Sequence, residues 1–149
     1  MNRVFIDEQV KKCDRKLDEG DFDGAITNAR SLLEAVLIEV EHGLCLEDPA
    51  PYDGDLIKLY RRVQQLLNLE PSRKDVSDSL KQVLSGLSSI VTGLSGLRNK
   101  MSDSHAATYR PSKRHSALVV NTAKTVAGFI IETRDHLVAT AKASPRSAE

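Results

Sequence analysis

The stretch AITNARSLLEAVLIEVEHGL, running from Ala25 to Leu44, has apolar side chains at Ala25, Ala29, Leu32, Leu33, Val36, Leu37, Val40 and Leu44. Steps of three and four put these positions on one stripe of an α-helix, and the strict alternation of a half-buried strand is missing. The helix reading spreads outward in both directions. Asp21-Phe22-Asp23-Gly24 restarts the chain after Gly20, which stops an earlier helix carrying Val4, Ile6, Val10, Cys13 and Leu17. On the other side, the run from Glu47 to Gly54 contains Pro49 and Pro51, which lack the amide a helix needs, so it is a loop. A third helix follows on Leu56, Leu59, Tyr60, Val63, Leu66 and Leu67 and stops before Pro71.

Ser72-Arg-Lys-Asp75 has the spacing of a capping box and predicts the start of a fourth helix there. That helix carries Val76, Leu80, Val83, Leu84, Leu87, Ile90, Val91, Leu94, Leu97 and Met101. Gly86, Gly93 and Gly96 interrupt it, each weakening a helix by about 1 kcal/mol relative to alanine. Gly86 and Gly93 share a face, which predicts a neighbouring backbone in close approach. Ser102-Asp103-Ser104 marks the helix end, and Ser112 caps a fifth helix on Leu118, Val119, Ala123, Val126, Ala127, Ile130, Ile131 and Leu137. With no strand pattern and no repeat, the chain reads as an all-α bundle of about five helices, one domain over residues 1–142 with a disordered Ser/Pro/Arg tail at 143–149.

Lysines plus arginines equal aspartates plus glutamates at 21 each, which excludes a global field for nucleic acid or anionic lipid, so any polyanion contact is local. Aromatics are few and tryptophan is absent, against a base-stacking platform. No run approaches a membrane span and no signal core opens the sequence, so a cytoplasmic location without membrane contact is expected. Cys13 and Cys45 have no metal-ligand spacing and read as small buried hydrophobes. Asp7, Asp14, Asp18, Asp21 and Asp23 read as a solvated face.

The chemistry concentrates in GLSGLRNKMSDSH, Gly93 to His105. Arg98, Asn99 and His105 fall at the end of an apolar helix, and seven helical residues return Arg98 and His105 to one face. Histidine moves protons near neutral pH, and arginine offers a permanent charge in a planar fork that fits phosphate oxygens. That pair suits cleavage of RNA by its own 2′-hydroxyl, without a metal or other cofactor. One histidine cannot give and take a proton at once, so a complete site calls for a second group, which a second copy of the chain would supply. A helix C-terminus also favours cations through its macrodipole, and Asn99 would serve equally as a carbonyl cap. Glu34, beside the apolar stripe, is read either as an exposed carboxylate or as a buried partner of Arg98. Tyr109, Arg110, Lys113, Arg114 and His115 put positive charge at the start of the fifth helix, against its dipole; a bound RNA phosphate would relieve that conflict, and plain solvated surface is the alternative.

Arg98-Asn99 followed after six residues by His105 resembles the Arg-X(4–6)-His motif of the HEPN superfamily of ribonucleases. The segments Ala29 to Glu34 and Gly86 to Val91 extend the likeness to the C-terminal domain of abortive-infection proteins, over roughly residues 22 to 140. The resemblance implies a metal-independent endoribonuclease working as a homodimer with its two motifs facing each other. It also implies phage defence or a toxin–antitoxin setting, where a neutralising partner protein belongs. The sequence departs from that branch at Asp103, an acid two residues from the histidine that would repel phosphate or orient the imidazole. A HEPN-like module that binds RNA or a nucleotide, or only pairs with a partner, without cutting, is the alternative. A helical-repeat adaptor, suggested by Lys16 to Ala25, lacks the second copy it needs.

Overall fold

The computed structural model describes residues 3–45, 47–70, 74, 77–102 and 111–143. Among them are five helices, α1 (Arg3–Asp18), α2 (Phe22–Leu44), α3 (Leu56–Leu66), α4 (Asp78–Ser102) and α5 (Lys113–Ala143), and no strand. Each described boundary has a local cause. Gly20 takes φ +78°, the left-handed region open to glycine, and Asp21 N–H donates back to the Lys16 carbonyl at 2.9 Å to close α1. Asp21 then caps α2 by accepting from the Gly24 amide at 3.0 Å. A Cβ on Gly24 would lie 2.4 Å from that carboxylate, so any larger residue there would have to displace the capping side chain. Asp21 is thus a structural cap, and Asp14 pairs with Lys124 of α5 at 2.5 Å; the aspartate-rich face is only partly free surface. Asp55 caps α3 through the Lys58 amide. Asn68, at φ 55°, ends α3 while Leu69 N–H reaches the Gln64 carbonyl at 2.9 Å.

The start of α4 corrects the sequence reading. Ser77 provides the cap, accepting from the Leu80 amide at 3.3 Å, and Lys74 lies in a turn. The expected start at Ser72 is therefore too early, although Ser72, Asp75 and Val76 themselves lie outside the described residues. Ser77-Asp78 offers the same cap chemistry closer to the continuous apolar run, and that site wins. Ser112 caps α5 as expected, accepting from the His115 amide at 3.3 Å.

Helix α2 is the hub. It packs most extensively on α5 and α1, and also meets α3 and α4. Contact on several sides explains why it buries Ile26, Leu32, Leu33, Val36, Leu37 and Val40 almost completely. Each such side chain contributes about 1.5–3 kcal/mol by leaving water. Ala25 and Ala29 of α2 and Ala123 and Ala127 of α5 are buried too, small knobs suited to the most extensive helix pair. Val120, Val126, Ile130 and Ile131 of α5 and Leu56, Leu59 and Val63 of α3 complete the same core. Cys13 belongs to it, as expected; Cys45, at the C-cap of α2, is only half-buried, because the helix ends there and leaves one side open.

The stripe on α4 is not wholly covered. Leu84, Val91 and Leu94 are buried, whereas Leu80 and Val83 are exposed, Val83 at 62%. Helices α4 and α5 touch only slightly. Between them runs an apolar groove of about 310 Å³ lined by Ile90, Gly93, Leu94, Leu97, Leu118 and Val119, with Leu118 64% exposed. No described atom comes within 4 Å of a Cβ placed on Gly86, Gly93 or Gly96. The close backbone approach expected at Gly86 and Gly93 is thus not made among the described residues, because α4 turns its Leu84, Val91 and Leu94 face to the core and its glycine face outward. Among the described residues no helix is long and apolar enough to cross a membrane.

Candidate functional site: the C-terminal turns of α4

Helix α4 carries Arg98 and Asn99 on its last two turns, as the sequence predicts. Their side chains, together with Asp103, His105, Tyr109 and Arg110, lie outside the described residues. What can be built is the support beneath them. Arg30 of α2 is 3% exposed, an uncommon depth for a permanent charge. Its Nε donates to Glu34 Oε1 at 3.2 Å, Nη2 to the Gly54 carbonyl at 3.0 Å, and Nη1 makes a long contact of 3.5 Å with the Ser95 carbonyl. One guanidinium therefore touches α2, the α2–α3 connection and α4, and the α4 contact falls three residues before Arg98. Gly54 presents its carbonyl from φ +90°, a conformation that favours glycine.

Tyr52 completes this cluster. Its hydroxyl is buried and has no hydrogen-bond partner of good geometry among the described residues. Burial, and after it the neighbouring Glu34 carboxylate, push its pKa up to about 12, so it stays protonated at any physiological pH. Glu34 is neither the fully exposed carboxylate nor, among the described residues, a partner of any arginine other than Arg30. Sequence reasoning passed over Arg30. The signal was present: Ile26, Leu33 and Leu37 flank it at helical spacing, and Glu34 stands four residues on, the separation of an ion pair.

Lys113, Arg114 and His115 occupy the first turn of α5, all exposed and with no acidic residue in that turn. Among the described residues no acid pairs with this charge, which stands at the start of α5 as the sequence predicts. Among the described residues no group of histidine, cysteine, aspartate and glutamate is arranged to hold a metal ion. A larger concavity of about 630 Å³ lies at the C-terminal end of α2, lined by Glu41, Cys45, Pro49 and Arg62 among others.

A bundle of five helices without strands among the described residues, with Arg98 and Asn99 on the last turns of its fourth helix, fits the all-α HEPN class. The family model described as a HEPN-like domain, that of the abortive-infection C-terminal domain, matches residues 4–134, and the chain belongs to this family. No curated protein and no solved structure matches it.

Proposed function

We propose that the protein is a metal-independent endoribonuclease of the HEPN type, acting as a homodimer in phage defence or a toxin–antitoxin system in the cytoplasm. Membership of the HEPN-like family, together with Arg98-Asn99 on the last turns of α4 and His105 shortly after, is what carries this reading. In the reaction a base takes the proton of the RNA 2′-hydroxyl, O2′ attacks phosphorus, and the bond to O5′ breaks as a second group protonates it. The products are a 2′,3′-cyclic phosphate and a 5′-hydroxyl. His105 serves one proton transfer and its copy in the second chain the other, while Arg98 neutralises the crowded phosphate and Asn99 orients it. Tyr109, Arg110, Lys113 and Arg114 hold the flanking RNA backbone. Glu34 supports the site through Arg30, and Asp103 orients the imidazole.

A second copy is favoured by the groove between α4 and α5: it is apolar, open and floored by glycine, and Leu118 projects beside it. A protein partner that neutralises the enzyme would be needed in a toxin–antitoxin setting. The test is incubation of the purified chain with RNA in excess chelator, followed by analysis of the new ends. Fragments ending in 2′,3′-cyclic phosphate support the proposal. Binding of RNA without cutting, under the same conditions, would favour a non-catalytic HEPN-like module.

A further inference from the structure

We infer that Arg30 is a positioning residue for this site: its buried guanidinium holds the α4 turn that presents Arg98 and Asn99 against the connection between α2 and α3. The inference rests on the reading of the α4 end as the site, but its physical content can be measured without cleavage.

Three observations combine. Burying an arginine is unfavourable unless its charge is paired and its donors are used, and an apolar side chain of similar volume would fill the same space at no such cost. Arg30 nevertheless sits 3% exposed in the middle of α2. Its partners are spread over separate elements: Glu34 on its own helix, the Gly54 carbonyl on the connection and the Ser95 carbonyl on α4. Glu34 pairs the charge within α2, whereas the two carbonyls that take up the guanidinium's other donors belong to other elements. Finally, in an α-helix the carbonyl of residue i accepts from the amide of residue i+4, so the usual partner of the Ser95 carbonyl is the amide of Asn99. A carbonyl has a second lone pair, and the Arg30 contact uses it. The guanidinium therefore bears on the carbonyl that the Asn99 amide uses in a helix, directly beside Arg98.

Tyr52 adds to the arrangement. It closes the cluster from the connection side with a hydroxyl that stays protonated beside Glu34. Because the fork reaches the connection and α4 together, a lysine, whose single ammonium lacks the planar spread, can keep the Glu34 pair but not all three contacts.

The experiment compares wild type with Arg30→Lys and with the double variant Arg30→Met/Glu34→Leu, which removes both charges so that neither is left buried alone. Native-state amide hydrogen exchange and chemical denaturation are measured on the full chain, and kcat and KM on RNA. Expected are amides 96–102 exchanging at least about tenfold faster in both variants, while amides of the Leu84–Val91 turns, α2 and α5 keep the rates set by global stability. Expected too is a kcat lower by about ten- to hundredfold with KM nearly constant, since misplaced groups lose reaction geometry before they lose charge. Exchange that rises uniformly, or not at all, overturns the inference, because Arg30 then contributes only to stability or to nothing. Selective loosening of 96–102 with unchanged kcat overturns its role in positioning the site. If wild type itself does not cut RNA, the ribonuclease proposal fails, and the exchange pattern alone still decides whether Arg30 fixes this turn.

Discussion

Arg62 of α3 grips Glu41 of α2 with two prongs, Nε to Oε2 at 2.5 Å and Nη2 to Oε1 at 3.2 Å. The carboxylate side chain is 4% exposed and the guanidinium side chain 42%, so the two partners do not stand to lose equally. Arg62→Met leaves a buried charge unpaired, whereas Glu41→Gln leaves a neutral amide that can still accept from an exposed guanidinium. The expected cost of Arg62→Met is about 1–3 kcal/mol, between that of a solvent-screened pair and that of a buried one. Glu41→Gln should cost less. Urea midpoints of the two variants check the order; equal losses would show that the carboxylate draws enough water to do without its partner.

His105→Ala should abolish RNA cleavage and leave RNA affinity nearly intact, and Arg98→Ala should reduce both. General acid–base catalysis is worth about 10² to 10⁴ in rate, so a gel assay resolves the histidine loss. Activity should persist in EDTA. Undiminished cleavage by His105→Ala would mean that another group, or a contaminant, does the chemistry.

Leu118→Glu should turn a dimer into a monomer at micromolar concentration, read by light scattering, without unfolding the chain. The side chain is already exposed, so the folded monomer does not depend on it, whereas a buried glutamate in the apolar groove would need to be desolvated without a partner. A wild-type chain that is monomeric by the same measurement would remove the two-chain site.

Alkaline pH should destabilise the fold through Cys13. Burial raises the thiol pKa from 9.0 to about 11. The folded state therefore holds its proton where the unfolded chain releases it: the contribution is complete below pH 9.0 and lost as pH rises through about 11. Tyr52, raised to about 12, acts with the same sign but begins higher, above 10.0. Tyr60, also raised from 10.0 by burial, adds to Tyr52, so the cysteine's share is greatest between pH 9 and 10. Thermal melts should show Cys13→Ala less stable at pH 8 and with a flatter slope above pH 9. An identical slope in the variant would assign the alkaline loss elsewhere.

Much of the bundle was legible in the chain because a helix advertises itself locally. The stripe of Ala25 to Leu44 needs only its own spacing to be read, and Gly20, Asp21 and Ser112 mark ends by their own chemistry. The cap of α4 was misplaced because Ser72 and Ser77 offer the same hydroxyl, and the choice depends on where packing begins to hold the helix. Arg98 and His105 were read as a motif from residue type and interval alone.

Sequence alone determined the all-α class, four of the five helix starts to within a few residues and the identity of the Arg98-Asn99 helix end, because each depends on interactions within about four residues along the chain. Only the tertiary structure decided that Arg30 lies buried between Glu34, Gly54 and Ser95, that Glu41 is held by Arg62, and that the glycine face of α4 looks out over an open groove. These are contacts between segments distant in sequence, and an apolar or charged side chain carries no record of which distant surface will cover it.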